Sequence, residues 1–379
     1  LTGKKQHYRP DMLSTETIEN KRYDLKSLSK TQLTQLCEEL GVQKFRANQI
    51  FQWLYQKGAK NFDDMTNLSK ELRDRLSMVS FIRTIELDKM QVSKDGTTKF
   101  LFNLFDDRQV EAVLIPEFFP DGVADRLTVC VSSQVGCVFG CSFCATGKMG
   151  FFRNLTPGEI VDQITTINNH TLEKYDKKIT NIVYMGMGEP LHNYQSVVAS
   201  TAILSDPLGI ELSQKRITVS TVGLAKQIKQ LGDELHPFNL AISLHAPSDE
   251  KRNKIMPINS SMDLEALREA LQYYHEKTNK AVTFEYLLFD EFNDSDDDAK
   301  KLAEISNWLP SKINIIMYNN VMGVELQRAR EDRLDRFMRA LARNNVRATV
   351  RRSRGDDIDA GCGQLAIREG QPRGKTIAK

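Results

Sequence analysis

The sequence predicts an α/β protein: a parallel sheet with flanking helices, preceded by a small helical module and a short β meander. Three features predict it. From Leu127 onward, runs rich in β-branched and aromatic residues alternate with amphipathic helical stretches, the pattern of parallel strands joined by crossover helices. Polar and glycine residues interrupt the apolar pattern just after one strand after another, which in a parallel barrel gathers them at one mouth. Ahead of Leu127 the apolar period is helical to about Val79 and strand-like beyond it.

Residues 1–22 mix charge and polarity without period and are expected to form a flexible tail. Over 23–80, Leu33, Leu36, Cys37 and Leu40, then Phe45, Ile50, Phe51, Leu54 and Tyr55 recur at helical intervals. Cys37 lies on that stripe and reads as core. Over 81–120, TIELDKMQV, KFLFNLF and QVEAVLIP read as strands of a meander, with turns at Asp95-Gly96 and Asp106-Asp107. The region 121–366 holds six core strands, LTVCVSS, TNIVYM, KRITVST, FNLAISLH, AVTFEYLLF and KINIIMYN, with a seventh candidate in VRATVRR. Its first helix starts with Thr156 as N-cap, Pro157 at the first helical position and Glu159 closing a capping box. Ile160, Val161, Ile164 and Ile167 form that helix's buried stripe; Leu264, Leu267, Leu271 and Tyr274, and Leu334, Phe337, Met338 and Leu341, do the same for later helices. Residues 367–379 are a basic tail.

No apolar run approaches the roughly 20 residues that span a bilayer, and the opening LTGKKQHYRP lacks a secretory pattern. A cytoplasmic protein with reduced thiols is expected. Residues 1–60 carry 11 Lys/Arg against 6 Asp/Glu and residues 326–379 carry 14 against 7, which leaves the middle at net −10. Basic ends around an acidic middle suit a polyanion gripped at the periphery, although solvated faces give the same count.

Three of the six cysteines, Cys137, Cys141 and Cys144, fall in the run GCVFGCSFC. Three thiolates on one tight loop can hold three irons of a cubane and leave the fourth without a protein ligand, open to a substrate. A structural zinc site wants four closed ligands and would have to borrow a distant histidine such as His170 or His192. Spacing leaves both open. Other polar interruptions after strands are GMGE at 186–189, Ser220-Thr221, Ser243 with His245, and Tyr318-Asn319. Near the other end, RGDDIDAGCGQLA places Cys362 between two glycines, which let a loop carry a thiol into a crowded site. Its aspartates and glycines make it a poor core strand.

The run CVFGCSFC, with Phe143 before the last cysteine, resembles the cluster loop of the radical S-adenosylmethionine (SAM) superfamily, whose fold is a partial (β/α)6 barrel. Taken with SSQVGC, MGMGEP, SLHAP and DIDAGCGQL in that order, the stretch from Leu25 to Ala366 resembles the ribosomal RNA adenine methyltransferases of the RlmN/Cfr family. Val135 and Pro190 look like the branch that methylates carbon 2 of adenine rather than carbon 8. The resemblance implies a 4Fe-4S cluster on Cys137, Cys141 and Cys144, and two SAM molecules per turnover. One methylates Cys362; the other gives a 5′-deoxyadenosyl radical that takes a hydrogen from the S-methyl group. The carbon radical adds to carbon 2 and forms a protein–RNA adduct. Cys130 then attacks the Cys362 sulfur and leaves a disulfide to be reduced, while Glu111 accepts the carbon-2 proton. Local activation of both thiols is expected; as a bare strand residue, Glu111 would be solvated.

By the same resemblance Gly188, Glu189, Ser220, Ser243, Leu244, His245 and Asn319 contact SAM, with Gly186 and Gly188 allowing close backbone approach and Glu189 accepting from the SAM ammonium. His245 can equally hydrogen-bond the next loop. Asn320 stands where the family has proline, which puts that loop's conformation in question. The helical module resembles an accessory RNA-binding domain: Lys44, Arg46 and Lys57 lie among aromatics that suit phosphate contact and base stacking, although Phe51 reads better as core. Implied partners are 23S rRNA and tRNA, an electron donor such as flavodoxin or ferredoxin, and a disulfide reductant, for a monomer that does not meet membrane. Carbon-8 methylation, and a non-enzymatic zinc-containing RNA-binding module, are the alternatives.

Overall fold

A computed structural model describes residues 22–366, so the expected tails over 1–22 and 367–379 lie, apart from Arg22, outside the described residues. The chain enters through β1 (Tyr23–Asp24) into α1 (Lys30–Glu39), α2 (Phe45–Tyr55) and α3 (Lys70–Val79), and β2 (Ser80–Phe81) returns to pair with β1. Ser29 and Gln32 form a capping box at the start of α1. Leu33, Leu36, Cys37, Ile50, Phe51, Leu54 and Tyr55 are all buried, which puts Cys37 and Phe51 in the core.

The meander follows as β3 (Glu86–Val92), β4 (Thr98–Asn103) and β5 (Gln109–Phe118), with left-handed backbone at Gly96 and Asp107 in its two turns. It is continuous with the next strands. β5 pairs antiparallel with β6 (Ala124–Cys130), and β6 in turn pairs parallel with β9 (Asn181–Tyr184). Between them lie a small hairpin of β7 (Gln134–Gly136) and β8 (Phe151–Asn154), the short helix α4 (Ala145–Met149) within it, and α5 (Pro157–Tyr175). Thr156 and Glu159 make the capping box of α5, with Pro157 at its first position.

The remaining chain alternates: α6 (Tyr194–Ser205), β10 (Ile217–Thr221), α7 (Ala225–Glu234), β11 (Asn239–Ser243), α8 (Asp249–Ile255), α9 (Leu264–Thr278), β12 (Val282–Leu288), α10 (Asp296–Ser306), β13 (Ser311–Met317), α11 (Glu331–Arg343) and β14 (Ala348–Arg351). One ten-stranded sheet runs β14-β13-β12-β11-β10-β9-β6-β5-β4-β3, parallel from β14 to β6 and antiparallel beyond. All seven sequence-predicted core strands are present, VRATVRR included as β14, and they form a partial barrel. Helices cover its outside, and strand ends with their loops form the mouth.

Candidate active site

At that mouth one cavity is lined by Cys137, Cys141, Cys144, Gly188, Glu189, Ser220, Ser243, His245 and Cys362. The cysteine loop is held at both ends. Gly136 has φ 73° and packs so closely on Gly150 that a side chain there would collide with its carbonyl, which fixes the β7–β8 hairpin. Backbone N–H groups of Ser142 and Ala145 donate to the carbonyls of Ile255 (2.9 Å) and Gly363 (2.7 Å), and Tyr318 donates its hydroxyl to Phe143 O at 3.1 Å. All three thiols are free, and burial is the first cause that pushes each up, to about 12 for Cys141.

Among the described residues no three His, Cys, Asp or Glu side chains converge on one metal ion. A tetrahedral zinc site asks for such convergence. A cubane asks for something else, one thiolate on each of three irons spread round the cluster. Three free thiols in the wall of one cavity fit that donor set.

Gly186 and Gly188 also pack closely on the protein itself. A Cβ on Gly186 would sit 2.8 Å from the Val131 carbonyl oxygen, and one on Gly188 (φ 99°) would sit 2.5 Å from Gln134 Cβ. Both glycines let the loop after β9 lie on the protein's own β6–β7 segment. Glu189 is also committed locally: its Oε1 accepts from Leu191 N–H (3.0 Å) and its Oε2 from Val222 N–H (2.9 Å), tying the loops after β9 and β10. Burial raises its carboxyl to about 7 against those two donors.

Ser220 and Ser243, on adjacent strands, bring their hydroxyls to 3.3 Å. Leu244 is fully buried outside the cavity wall and gives its N–H to Glu285 O. One ring nitrogen of His245 is held by the neighbouring strand β12. Its Nδ1 accepts from Leu287 N–H at 3.1 Å, which leaves Nε2 to carry the ring proton, while burial lowers its pKa to about 3. Asn319 packs against Gly361, where any side chain would strike its amide, and its buried Oδ1 has no hydrogen-bond partner. Asn320 anchors its own loop: Oδ1 accepts from Arg328 N–H (3.0 Å) and Nδ2 donates to Gln327 (3.1 Å), so side-chain bonds hold this turn without a proline.

The Cys362 loop is strapped to the meander. Ser93 Oγ donates to Asp357 at 2.5 Å, Gly355 N–H to Asp95 at 3.0 Å, and Ala366 N–H to Glu111 at 3.0 Å. Cys130 is buried on β6 beside this loop. Burial first, then the neighbouring Cys362, raises its thiol to about 12, while Arg351 on β14 opposes both; burial likewise raises Cys362 against Arg351. Burial thus disfavours the charged form of both thiols, and the Arg351 guanidinium favours it. Glu111 corrects the bare strand reading: its side chain is buried, 3.1 Å from Lys99 Nζ. It lies outside the cysteine cavity and in the wall of a second one.

Four charged residues escaped the sequence reading: Lys99, Arg252, Glu285 and Arg351. Glu285 lines the cysteine cavity, accepts from Asn314 (2.9 Å) and lies 3.5 Å from Arg351. Register accounts for this, since Glu285 sits opposite both Ser243 and Asn314. The available signal was a charge in AVTFEYLLF and VRATVRR, strands expected to be buried on both faces. Arg252, 1% exposed, donates to the carbonyls of Leu244 (3.2 Å) and Val222 (2.6 Å) and to Asn259 (2.5 Å).

On the helical module, Phe45 is 48% exposed with Arg46 over its ring, Lys57 covers Trp53, and Lys44 pairs with Glu38. Tyr55 joins Phe51 in the core, whereas Phe45 stays exposed with Arg46 over its ring. No helix among the described residues is long and apolar enough to cross a membrane.

Comparison with known proteins agrees with this architecture. Residues 131–303 match the radical SAM superfamily and residues 23–82 the ribosomal RNA large subunit methyltransferase N-terminal domain. A crystal structure of a radical SAM methyltransferase from Sphaerobacter thermophilus superposes with TM-score 0.83 at 41% identity, over 90% of this chain and 99% of that one. The fold and the cysteine loop define a radical SAM methyltransferase, a class that implies a 4Fe-4S cluster and SAM. A probable dual-specificity RNA methyltransferase RlmN from Salinibacter ruber is 50% identical over 91% of this chain and 94% of its own length. A dual-specificity RNA methyltransferase RlmN from Pelobacter propionicus is 43% identical over 90% and 95%. The chain belongs to the RlmN family of RNA methyltransferases.

Proposed function

We propose that the protein converts adenosine to 2-methyladenosine in 23S rRNA, at the peptidyl transferase centre, and in tRNA, at the adenosine 3′ to the anticodon. The observation that carries this reading is the junction of Cys362 with the cluster loop. Cys362 shares a cavity wall with Cys137, Cys141 and Cys144, and it is close enough to Cys130 to raise that thiol, with Arg351 acting on both. A 4Fe-4S cluster on the three loop cysteines would supply the electron that SAM cleavage requires.

The chain's own groups do the rest. Cys362, once deprotonated, takes a methyl group from one SAM; a second SAM serves the hydrogen abstraction from that methyl. The methylene carbon then bonds to carbon 2 of the target. The adduct's unpaired electron would return to the cluster; Glu111 then accepts the carbon-2 proton, and the Cys130 thiolate attacks the Cys362 sulfur, so that an S–S bond forms as the S–C bond breaks and the released carbon takes up a proton to become the methyl group. Ser220, Ser243, His245, Glu189 and the loops through Gly188, Leu244 and Asn319 hold SAM. Residues 23–80 serve as the accessory RNA-binding unit, with Phe45 available for stacking on an unstacked base. A flavodoxin or ferredoxin, a separate disulfide reductant and a cytoplasmic setting complete the reading.

The test is Cys130→Ala, anaerobically reconstituted and given each RNA. A covalent Cys362–RNA species is expected, together with 2-methyladenosine from the wild type on digestion and mass spectrometry. Release of only free RNA and protein from an otherwise active variant would remove Cys130 from this role, and 8-methyladenosine would move the enzyme to the carbon-8 branch.

A further inference from the structure

Lys99 belongs to none of the motifs above, and it is buried. Its residue is 8% exposed on β4, and an ammonium withdrawn from water needs partners. It has two. Nζ stands 3.1 Å from Glu111 Oε1 and donates to the Asp359 carbonyl at 3.4 Å. The first partner is on β5 and the second on the Cys362 loop. The other Glu111 oxygen accepts from Ala366 N–H, on the far side of that same loop. One cation therefore joins the carboxylate to both sheet and thiol loop.

Resting on the proposed carbon-2 chemistry, we propose that Lys99 is the positioning residue for Glu111: it keeps the carboxylate ionised and fixes it against the Cys362 loop for the proton transfer that resolves the adduct. Burial disfavours the charged carboxyl, and a neighbouring ammonium favours it. Burial is the largest influence on Glu111 and raises its pKa, with Lys99 foremost among the groups that oppose it. In the transfer the carbon-2 C–H bond breaks, its electron pair stays with the adenine ring, and an O–H bond forms on Glu111. No oxidant or reductant enters that step. The proton also has an exit, because Lys99 and Glu111 share the wall of a second cavity of about 500 Å³ with Asp88, Gln109 and Asp359. At a share of ~30 Å³ per water, this polar space has room for several molecules.

The experiment is a single turnover of the reconstituted enzyme on RNA, following S-methyl-Cys362, 5′-deoxyadenosine, the covalent adduct and 2-methyladenosine in one sample. In Lys99→Met the first two should form as in the wild type. The adduct should accumulate with Cys130 intact, and product should appear about tenfold more slowly, ~1.4 kcal/mol in the barrier. Lys99→Arg keeps the charge and should clear the adduct faster than Lys99→Met. Hydrogen exchange at the Ala366 amide of cluster-free protein should quicken in Lys99→Met and stay slow in Lys99→Arg. The proposal is overturned if all four species fall together in both variants, as a merely structural lysine requires, or if Lys99→Met releases product at the wild-type rate. Wild-type enzyme that makes 5′-deoxyadenosine but no 2-methyladenosine would instead sink the carbon-2 reading.

Discussion

His245 shows how one residue can hold two requirements at once. Its φ of 56° puts it in the left-handed region, where a non-glycine residue is uncommon, and its ring nitrogen fixes Leu287 on the next strand. Its folded pKa, about 3, lies below the ~6.5 of a free imidazole. Between those values the unfolded chain binds a proton that the folded chain does not, so this contribution is complete above about pH 6.5 and drains away as pH falls toward 3, by ~1.4 kcal/mol per unit. Asparagine tolerates the same backbone, so His245→Asn should flatten the acid limb by up to one proton. Urea unfolding of cluster-free protein near pH 7 and near pH 5 measures it, and an unchanged slope would show that the ring is solvated. At this scale the sequence was legible where a residue type has few uses, as with three cysteines in eight positions or Cys362 between glycines. It misled for Glu111, because burial of a strand glutamate depends on a lysine from the neighbouring strand and on a loop more than 250 residues away.

Helices and strands were legible for a related reason: each repeats a local period that packing then honours, so the six core strands and the seventh all form. What local period does not carry is attachment. The meander extends the barrel sheet through β5 and β6, and the Ser93–Asp357 bond that docks the Cys362 loop spans 264 positions. Arg252 is an attachment of the same sort. From the short helix α8 it supplies donors to the carbonyls just after β10 and β11, the strands whose ends place Ser220 and Ser243 at the cavity. Replacing it with methionine leaves the Val222 and Leu244 carbonyls and Asn259 Oδ1 without that donor, at about 1–3 kcal/mol for each buried orphan. Arg252→Met should therefore lower unfolding free energy by about 3 kcal/mol and weaken SAM binding. Arg252→Lys should recover only part, because an ammonium lacks the guanidinium fork. A loss under ~0.5 kcal/mol in urea unfolding would mean that the loops hold their own shape.

Across the whole molecule, the helical module and the barrel meet at a buried ion pair, Lys26 Nζ to Asp162 Oδ1 at 2.6 Å, with side chains 4% and 11% exposed. The joint is tight. Tyr55 of α2 donates to the Lys26 carbonyl, and Gly158 of α5 packs so closely that a Cβ there would lie 2.6 Å from Lys26 Cβ. Desolvation makes such a pair a poor source of net stability but an expensive one to break, at ~3–5 kcal/mol when one partner is removed. Burial already raises the Asp162 carboxyl against the pull of Lys26. In Lys26→Met that opposition goes and the folded chain binds a proton the unfolded chain lacks, so the variant's deficit should shrink as pH falls from 7 toward 5. The double variant Lys26→Met with Asp162→Leu should recover most of the loss at pH 7. The two tryptophans, Trp53 in the module and Trp308 beside the barrel, allow the parts to be watched separately in single-tryptophan proteins. With the pair intact their urea transitions should coincide. In Lys26→Met the Trp53 transition should move to lower urea ahead of Trp308; transitions that stay together and unshifted would show that apolar packing alone holds the module in place.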